Sequence, residues 1–171
     1  TVITCDGENK DARKLLAKAL KASKSDIRRH AVRACLEVNV NEKEFSRLIK
    51  LAKGDTDLKV RAVSCHAATT LAVRYRNDEA FTVDPDEIAL YAKKRKKILG
   101  LTKKLKAALE SVMARDREAK LREFAKLCLE ALNSQEFIDL DGDLDELFSD
   151  DELTSDESSD KRKRRGGGGR R

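Results

Sequence analysis

The sequence predicts an all-α protein, and three features support this prediction. Charged residues make up 40% of the 171 residues, whereas aromatic residues make up only 4%. The chain contains one proline and no tryptophan and is rich in Ala, Leu, Lys and Arg, which favour helices. Apolar residues also recur at helical spacing, as at Ile27, Ala31, Cys35 and Val38. We therefore expect one α-helical domain over residues 8–132.

Four helices are predicted in the first half of the domain. Their ranges are 11–22, 26–38, 42–53 and 58–76. Ser23 and Ser25 are candidate N-caps for the second helix. Asn41 and Glu44 form a capping-box pattern before the third helix, and Gly54 is a typical residue at its end.

The second half of the domain predicts a helical hairpin that closes the fold. Asp84 and Pro85 are typical of a helix start. From Ile88 onward an apolar residue recurs every seven positions, and the residues in this series are Tyr91, Ile98, Leu105 and Val112. Gly100 is a candidate bend or break in this long helix. The last helix is predicted over 116–132.

The first four predicted helices form a repeat. When the sequence is shifted by 33 residues, Leu15, Leu16 and Ala19 fall on Leu48, Ile49 and Ala52, and Ile27-Arg28 falls on Val60-Arg61. Repeated helix pairs are typical of an α-solenoid, and a generic antiparallel bundle is the alternative. The pattern of an aliphatic residue, arginine and later small residues resembles HEAT repeats. This resemblance implies a short HEAT-like solenoid closed by the C-terminal hairpin.

A wider resemblance covers residues 10–76. The run from Lys24 to Arg28, then Ala31, Leu36-Glu37 and the helix over 42–53, resembles the C-terminal HEAT region of the condensin G-type subunit. The resemblance implies a chromosome-bound scaffold that contacts DNA or other subunits of a complex. It carries over no individual binding residue.

Charge divides the chain into three parts. Residues 133–160 contain twelve acidic residues and no basic ones, and residues 161–171 contain seven basic residues and no acidic ones. Since the whole chain carries +6, residues 1–132 carry +11. A basic domain followed by a disordered acidic segment and a basic Gly/Arg tip suits a nuclear protein that binds a polyanion.

A cluster of basic residues is the candidate nucleic-acid-binding site. Its eight members lie on one predicted helix and are Lys93, Lys94, Arg95, Lys96, Lys97, Lys103, Lys104 and Lys106. No aromatic residue is interleaved to stack on bases, so we expect contacts with phosphates that do not read sequence. A solvated helix face and an intramolecular dock for the acidic segment are the alternatives. Arg28, Arg29, Arg33, Arg61, Arg74 and Arg76 are candidates to extend the surface.

The acidic segment combines carboxylates with an apolar helical face. That face consists of Phe137, Leu140, Leu144, Leu147 and Phe148, which are candidate anchors for a partner's groove or for the basic domain. Plain disorder is the alternative. Ser149 and Thr154 each precede an acid by three residues, a pattern that acidophilic kinases prefer. Their phosphorylation would add negative charge to the segment.

The basic tip fits a nuclear-import signal. The cluster consists of Lys161, Arg162, Lys163, Arg164 and Arg165, and four glycines with Arg170 and Arg171 follow. An import receptor is the expected partner, and a flexible arm that follows phosphates is the second interpretation.

No pattern of residues indicates catalysis, a cofactor or a metal. The four cysteines contain no CxxC pair, so we expect buried thiols in a reducing compartment. No apolar run is long enough to span a membrane. We therefore expect a non-enzymatic nuclear scaffold of a chromosome-associated complex that binds DNA or RNA non-specifically. The alternatives are a protein-interaction or transport adaptor and a viral-type RNA-binding protein.

Overall fold

The computed structural model describes residues 10–77 and 88–134 together with residues 142 and 144, and every regular element there is helical. The seven α-helices in these residues are α1 Lys10–Ala19, α2 Ser25–Ala34, α3 Glu42–Gly54, α4 Leu58–Asn77, α5 Ile88–Gly100, α6 Thr102–Arg115 and α7 Ala119–Asn133. A 3-10 turn over Cys35–Glu37 follows α2. The predicted all-α class is confirmed.

Six of the helices form three pairs that pack in two rows. The pairs are α1 with α2, α3 with α4, and α6 with α7, and a short turn joins the two helices of each pair. In one row α2, α4 and α7 lie side by side. In the other row α3 contacts α6, and the ion pair between Arg13 and Glu44 joins α1 to α3. Helix α5 lies outside this pairing and packs on α3, α4 and α6.

Helix α4 is the centre of the core. It packs against α2, α3, α5, α6 and α7, and every residue from 62 to 69 is buried. Small residues such as Ala62, Ala67 and Ala68 let the neighbouring helices approach closely. The fold surrounds this helix on nearly all sides. Such burial removes much apolar surface from water and stabilises the whole body.

The helix starts confirm one capping prediction and correct another. Asn41 accepts hydrogen bonds from the N–H groups of Lys43 and Glu44, and Glu44 accepts one from the N–H of Asn41, so the predicted capping box is present. The serine cap of α2 was wrong. Lys24 occupies that N-cap position without a side-chain cap, and Ser25 is already helical. Helix α3 ends at Gly54, as the sequence predicted.

The long second-half helix is two helices. The chain turns at Leu101, after which α6 begins at Thr102, so Gly100 marks a break. The closing hairpin therefore consists of α6 and α7. Its second helix begins at Ala119, three residues later than predicted. The predicted start at Asp84 and Pro85 lies outside the described residues.

Two described residues follow α7. Gly142 and Leu144 are helical, and Leu144 is 5% exposed and belongs to the same apolar cluster as the core of the seven helices. This leucine was a candidate anchor for a partner's groove or for the basic domain, and its place in the core cluster fits the second alternative. The other four candidate anchors, Ser149, Thr154 and the basic tip lie outside the described residues.

Candidate nucleic-acid interface

The candidate interface lies where α5 meets α6, and we call it the α5–α6 corner (residues 88–109). This stretch holds all eight candidate basic residues and no acidic residue. The break at Leu101 divides the cluster, with five basic residues on α5 and three on α6. The sequence placed the cluster on one helix with a candidate bend or break at Gly100, and because the break is present the surface is a bent ridge and not one straight face.

Five lysines of the corner point to solvent. Lys93, Lys96 and Lys97 are exposed and share one face of α5, because residues three and four positions apart lie on the same side of a helix. Lys103 and Lys104 are exposed in the first turn of α6. Lys97 also approaches Glu42 of α3 at 3.3 Å, but both side chains are about half exposed, so water screens the pair.

Arg95 has a structural role. Its Nε donates to the carbonyl of Tyr75 at 2.6 Å, and its Nη2 donates to the carbonyl of Arg76 at 3.0 Å. Both carbonyls belong to the last turn of α4, where backbone acceptors lack helical partners. Arg95 therefore caps α4 with positive charge at the negative end of the helix dipole. It does not belong to the exposed set.

Two further lysines are also withdrawn from the exposed set. Lys94 is half-buried. It lies beside Arg95 on the inward stripe between buried Tyr91 and Ile98. Lys106 is half-buried and donates to Oδ1 of Asn133 at the end of α7. The spacing of Tyr91 and Ile98 could have identified the inward positions, because residues 94 and 95 fall between them on a helix.

Aromatic packing holds α5 against α4. The rings of Tyr75 and Tyr91 stack with centroids 5.8 Å apart, a favourable distance for an aromatic pair. The hydroxyl of Tyr75 donates to the carbonyl of Val40 at 3.2 Å. Burial raises the pKa of Tyr75, so this hydroxyl stays protonated and keeps donating. The exposed lysines of α5 thus stand on a fixed support.

The opposite end of the helix pairs carries a second set of basic residues, which we call the arginine ladder (Arg28, Arg61 and Arg122). Each occupies the same position in the second helix of its pair. The Nη1 of each donates to the carbonyls six and five residues earlier, in the turn that precedes its helix. The first of these bonds measures 2.8, 3.0 and 2.7 Å in the three pairs.

Two arginines of the ladder also bind an aspartate of the next pair. Arg28 Nε and Nη2 donate to the two carboxylate oxygens of Asp55 at 2.7 and 2.6 Å. Arg61 Nε and Nη2 lie 2.8 and 3.0 Å from those of Asp116. All four side chains are about one-tenth exposed or less. These contacts tie neighbouring pairs together.

The charge state of Asp55 follows from these contacts. Burial would raise its pKa, but the hydrogen bonds from Arg28 and from the N–H of Asp57 outweigh burial, and the pKa lies below its usual 3.8. The carboxylate is therefore ionised at neutral pH. The same hydrogen bond to Asp55 raises the pKa of Arg28, so the pair is fully charged.

Most candidate arginines outside the corner bind the protein's own backbone or side chains. Arg28 and Arg61 belong to the ladder. Arg74 donates to the carbonyl of Leu36, and Arg76 donates to that of Leu132 at the end of α7. Arg29 pairs with Asp26 at 3.0 Å and remains partly exposed. Arg33 is exposed. Of the six arginines predicted to extend the binding surface, only Arg29 and Arg33 on α2 therefore remain accessible to a ligand.

Sequence reasoning missed the aspartates of the ladder. Asp55 and Asp116 each lie six residues before a ladder arginine. Each aspartate is also followed two residues later by a second acidic residue, in the runs Asp55-Thr-Asp57 and Asp116-Arg-Glu118. In both turns the N–H of the second acidic residue donates to the aspartate, at 2.9 and 3.0 Å. This repeated pattern was the available signal.

The described cysteines are Cys35, Cys65 and Cys128, and all three are buried. Burial raises the pKa of the Cys35 thiol to about 12 and also raises that of Cys65, so neither is a thiolate at neutral pH. Among the described residues no group of His, Cys, Asp and Glu could hold a metal ion. None of the described helices is both long and apolar enough to cross a bilayer.

Comparison with protein-family models, with curated proteins and with solved structures found no match to this chain.

Proposed function

We propose that this protein is a non-enzymatic scaffold that binds the phosphate backbone of nucleic acid through the α5–α6 corner, without reading sequence. The observation that carries the proposal is the exposed set of Lys93, Lys96, Lys97, Lys103 and Lys104 in a stretch without acidic residues. Lysine binds phosphate as a point charge. The affinity of such a lysine surface for nucleic acid comes from the release of counterions and does not depend on the identity of the bases.

The electrostatics of the whole domain support this proposal. Residues 1–132 carry +11, so the domain attracts a polyanion at long range. The ladder arginines contribute to this net charge, but Arg28 and Arg61 are neutralised by buried aspartates. The charge available for binding therefore lies at the exposed basic side chains, and the corner holds five exposed lysines.

We also propose that the three helix pairs are HEAT-type repeats of a short solenoid. The two rows of helices and the repeated arginine–aspartate contacts support this interpretation. The scaffold would then belong to a chromosome-associated complex, as the resemblance to the condensin G-type subunit implies. Other subunits of that complex are its expected protein partners.

The proposed roles of residues 133–171 rest on the sequence alone. Lys161–Arg165 would bind an import receptor and take the protein to the nucleus. Phosphorylation of Ser149 and Thr154 would add negative charge to the acidic segment, which would then compete more strongly for the lysines.

The binding proposal is tested by fluorescence anisotropy with a labelled DNA duplex and with a single-stranded RNA. A variant in which the five exposed lysines of the corner become Gln should lose most of its affinity at low salt. The slope of log K against log salt for duplex DNA should fall in magnitude by about 4.5 if all five lysines contact phosphates, since each contact contributes about 0.9.

A matched control removes the same charge elsewhere. Lys18, Lys21, Lys50, Lys53 and Lys120 are also exposed, and changing them to Gln gives the same net charge. This control should keep most of the affinity and of the salt slope. Equal losses in both variants would show that total charge and not the corner determines binding, and no binding by the native protein would refute the proposal.

A protein-interaction scaffold is the second candidate function. The observation that favours it is the exposure of two large apolar side chains of the first helix pair, Leu15 at 69% and Ile27 at 45%. Such side chains are available to contact a protein partner. This candidate predicts that Leu15→Ser and Ile27→Ser abolish a pull-down of complex subunits but leave nucleic-acid binding unchanged.

A further inference from the structure

A surface hollow lies between the first two helix pairs, at the end where the arginine ladder runs, and we call it the cationic hollow. Its volume is about 260 Å³, and its charged lining residues are Lys21, Arg28, Arg47, Lys50 and Asp55. Four of these side chains are positive and one is negative, which gives the lining a net charge of +3. A concave surface with an excess of one sign attracts ions of the opposite sign.

The one carboxylate of the cationic hollow is already occupied. Asp55 accepts hydrogen bonds from Nε and Nη2 of Arg28, one on each carboxylate oxygen, and also accepts one from the N–H of Asp57. The side chains of Arg28 and Asp55 are only 10% and 4% exposed. They therefore form a buried pair without net charge, and the charges that remain for a ligand are those of Lys21, Arg47 and Lys50.

These three remaining cations have no anionic partner. No acidic side chain of the described residues lies within ion-pair distance of any of them. Arg47 is half-buried, and its Nε donates to the carbonyl of Leu20 at 3.3 Å, which holds the guanidinium against the turn after α1. Its two Nη atoms bind no described residue. Lys21 and Lys50 are exposed. A held guanidinium with two ammonium groups beside it suits phosphate oxygens.

The second interface between helix pairs shows that the ladder does not require these cations. The equivalent positions there lie seven residues before Arg61 and eight and five residues before Asp116, and they are Gly54, Ala108 and Ser111. None of the three is charged, yet Arg61 and Asp116 form the same kind of pair. Helix dipoles do not explain the cations either, because Arg47 lies about two turns before the end of α3.

We propose that the cationic hollow binds a small anion that carries two phosphate groups. A phosphate monoester carries about −1.5 to −2 charges at neutral pH, so one such group leaves part of the +3 uncompensated and two match it. The hollow is smaller than the roughly 300–1,000 Å³ of typical organic-ligand pockets, so the diphosphate group itself would occupy it. This ligand is distinct from the nucleic acid proposed for the α5–α6 corner.

Isothermal titration calorimetry of the full chain with sodium diphosphate tests this proposal. We expect diphosphate to bind at least about ten times more tightly than inorganic phosphate, because only the diphosphate can contact all three cations at once. Sulfate, a single tetrahedral anion, should bind no more tightly than phosphate. Equal affinities for the three anions would show adventitious ion binding only and would overturn the proposal.

Two variants change the cationic hollow itself. Lys50→Glu reverses one charge at an exposed residue and should weaken diphosphate binding about ten- to a hundred-fold, since a hydrogen bond to a charged group commonly contributes this much. The triple variant Lys21→Gln, Arg47→Gln and Lys50→Gln should abolish binding. Circular dichroism shows whether each variant keeps its helices, and Lys50→Glu is the decisive variant if the change at Arg47 impairs folding.

A matched control removes the same net charge from lysines outside the hollow. Lys18, Lys53 and Lys120 are exposed and do not line it, so changing all three to Gln should leave diphosphate binding unchanged. Equal losses in this control and in the triple variant would show that the total charge of the domain, and not the cationic hollow, attracts the anion. Absence of binding by the native protein would also refute the proposal.

Two further titrations identify the source of the diphosphate and separate the two proposals. Tighter binding of ADP than of free diphosphate would assign the site to a nucleoside diphosphate, and the reverse order would assign it to a diphosphate without a nucleoside. Either order supports a diphosphate site. The variant with five Gln residues at the α5–α6 corner should retain diphosphate binding, so the nucleic-acid proposal and this one can fail independently.

Discussion

The two ends of the α3–α4 pair carry positive side chains in opposite roles. At the end where a turn joins the two helices, Arg28 and Arg61 are buried and bind carboxylates and carbonyls. At the other end, five of the seven lysines of the α5–α6 corner lie in solvent and face no acidic residue of their own stretch. The first end holds the helix pairs together, and the second end is available to a ligand.

The difference follows from the chemistry of the two residue types. A guanidinium donates in several fixed directions, so one arginine can bind two carbonyls and a carboxylate at once. An ammonium is strongly hydrated and remains at the surface. Arg95 fits this distinction, because the one arginine of the corner is also the residue that binds the backbone of α4.

The largest effect is expected from breaking the ladder. Arg61→Ala should lower the free energy of unfolding by about 3–5 kcal/mol, because it leaves the buried carboxylate of Asp116 without its partner. Urea unfolding monitored by circular dichroism measures the change. Arg29→Ala removes a more exposed pair with Asp26 and should cost less than about 1 kcal/mol.

The double variant Arg61→Ala with Asp116→Ala sharpens this result. It should be less destabilised than the sum of the two single variants, because no buried charge is left alone. Additive losses would show that the two side chains contribute independently.

Acid should weaken the ladder end selectively. The pKa of Asp55 in the folded protein lies below its usual 3.8, so its contribution to stability is complete above that value. It is lost as the pH falls below about 4 and the folded-state carboxylate takes up a proton. The stability of the native protein should therefore fall more steeply between pH 5 and 2 than that of Asp55→Asn. Parallel pH curves for the two proteins would contradict this account.

Local sequence rules predicted most helices but not how they pack. The capping box at Asn41 was predictable because its partners lie within three residues. The serine cap of α2 failed because Lys24, whose side chain has no acceptor, occupies the N-cap position between the two serines. The burial of α4 by five neighbouring helices depends on contacts that no local pattern encodes.

In the candidate site, too, local sequence predicted part of the structure and packing determined the rest. Composition located the basic cluster, and the spacing of Tyr91 and Ile98 could have separated Lys94 and Arg95 from the exposed lysines, although the prediction kept all eight residues together. The sequence named Gly100 as a candidate bend or break but left the choice open, since glycine permits both a continuous helix and a turn, and the structure shows the turn at Leu101. The partners of Arg95 belong to α4 and become visible only in the folded chain.

Within the corner, Arg95 should behave as a residue of the ladder type. Arg95→Gln should lower the free energy of unfolding by about 1–2 kcal/mol, because the carbonyls of Tyr75 and Arg76 lose a charged donor. The salt slope of nucleic-acid binding should not change. A variant with native stability and a reduced slope would instead place Arg95 among the phosphate contacts.

The smallest effect on stability is expected from a substitution at Lys96, and its expected results are the reverse of those for Arg95. Its side chain is exposed on the outward face of α5, so Lys96→Gln should change the free energy of unfolding by less than about 0.5 kcal/mol. If Lys96 contacts a phosphate, the same change should reduce the magnitude of the salt slope for duplex DNA by about 0.9. Thermal unfolding and anisotropy titrations at several salt concentrations measure the two quantities on one protein sample.

Lys50→Gln, an exposed lysine of α3, is the control that should leave both unchanged. Equal slopes for Lys96→Gln and the native protein would remove Lys96 from the interface. The two variants Arg95→Gln and Lys96→Gln thus change neighbouring residues with opposite expected results, because one side chain faces the backbone of α4 and the other faces solvent.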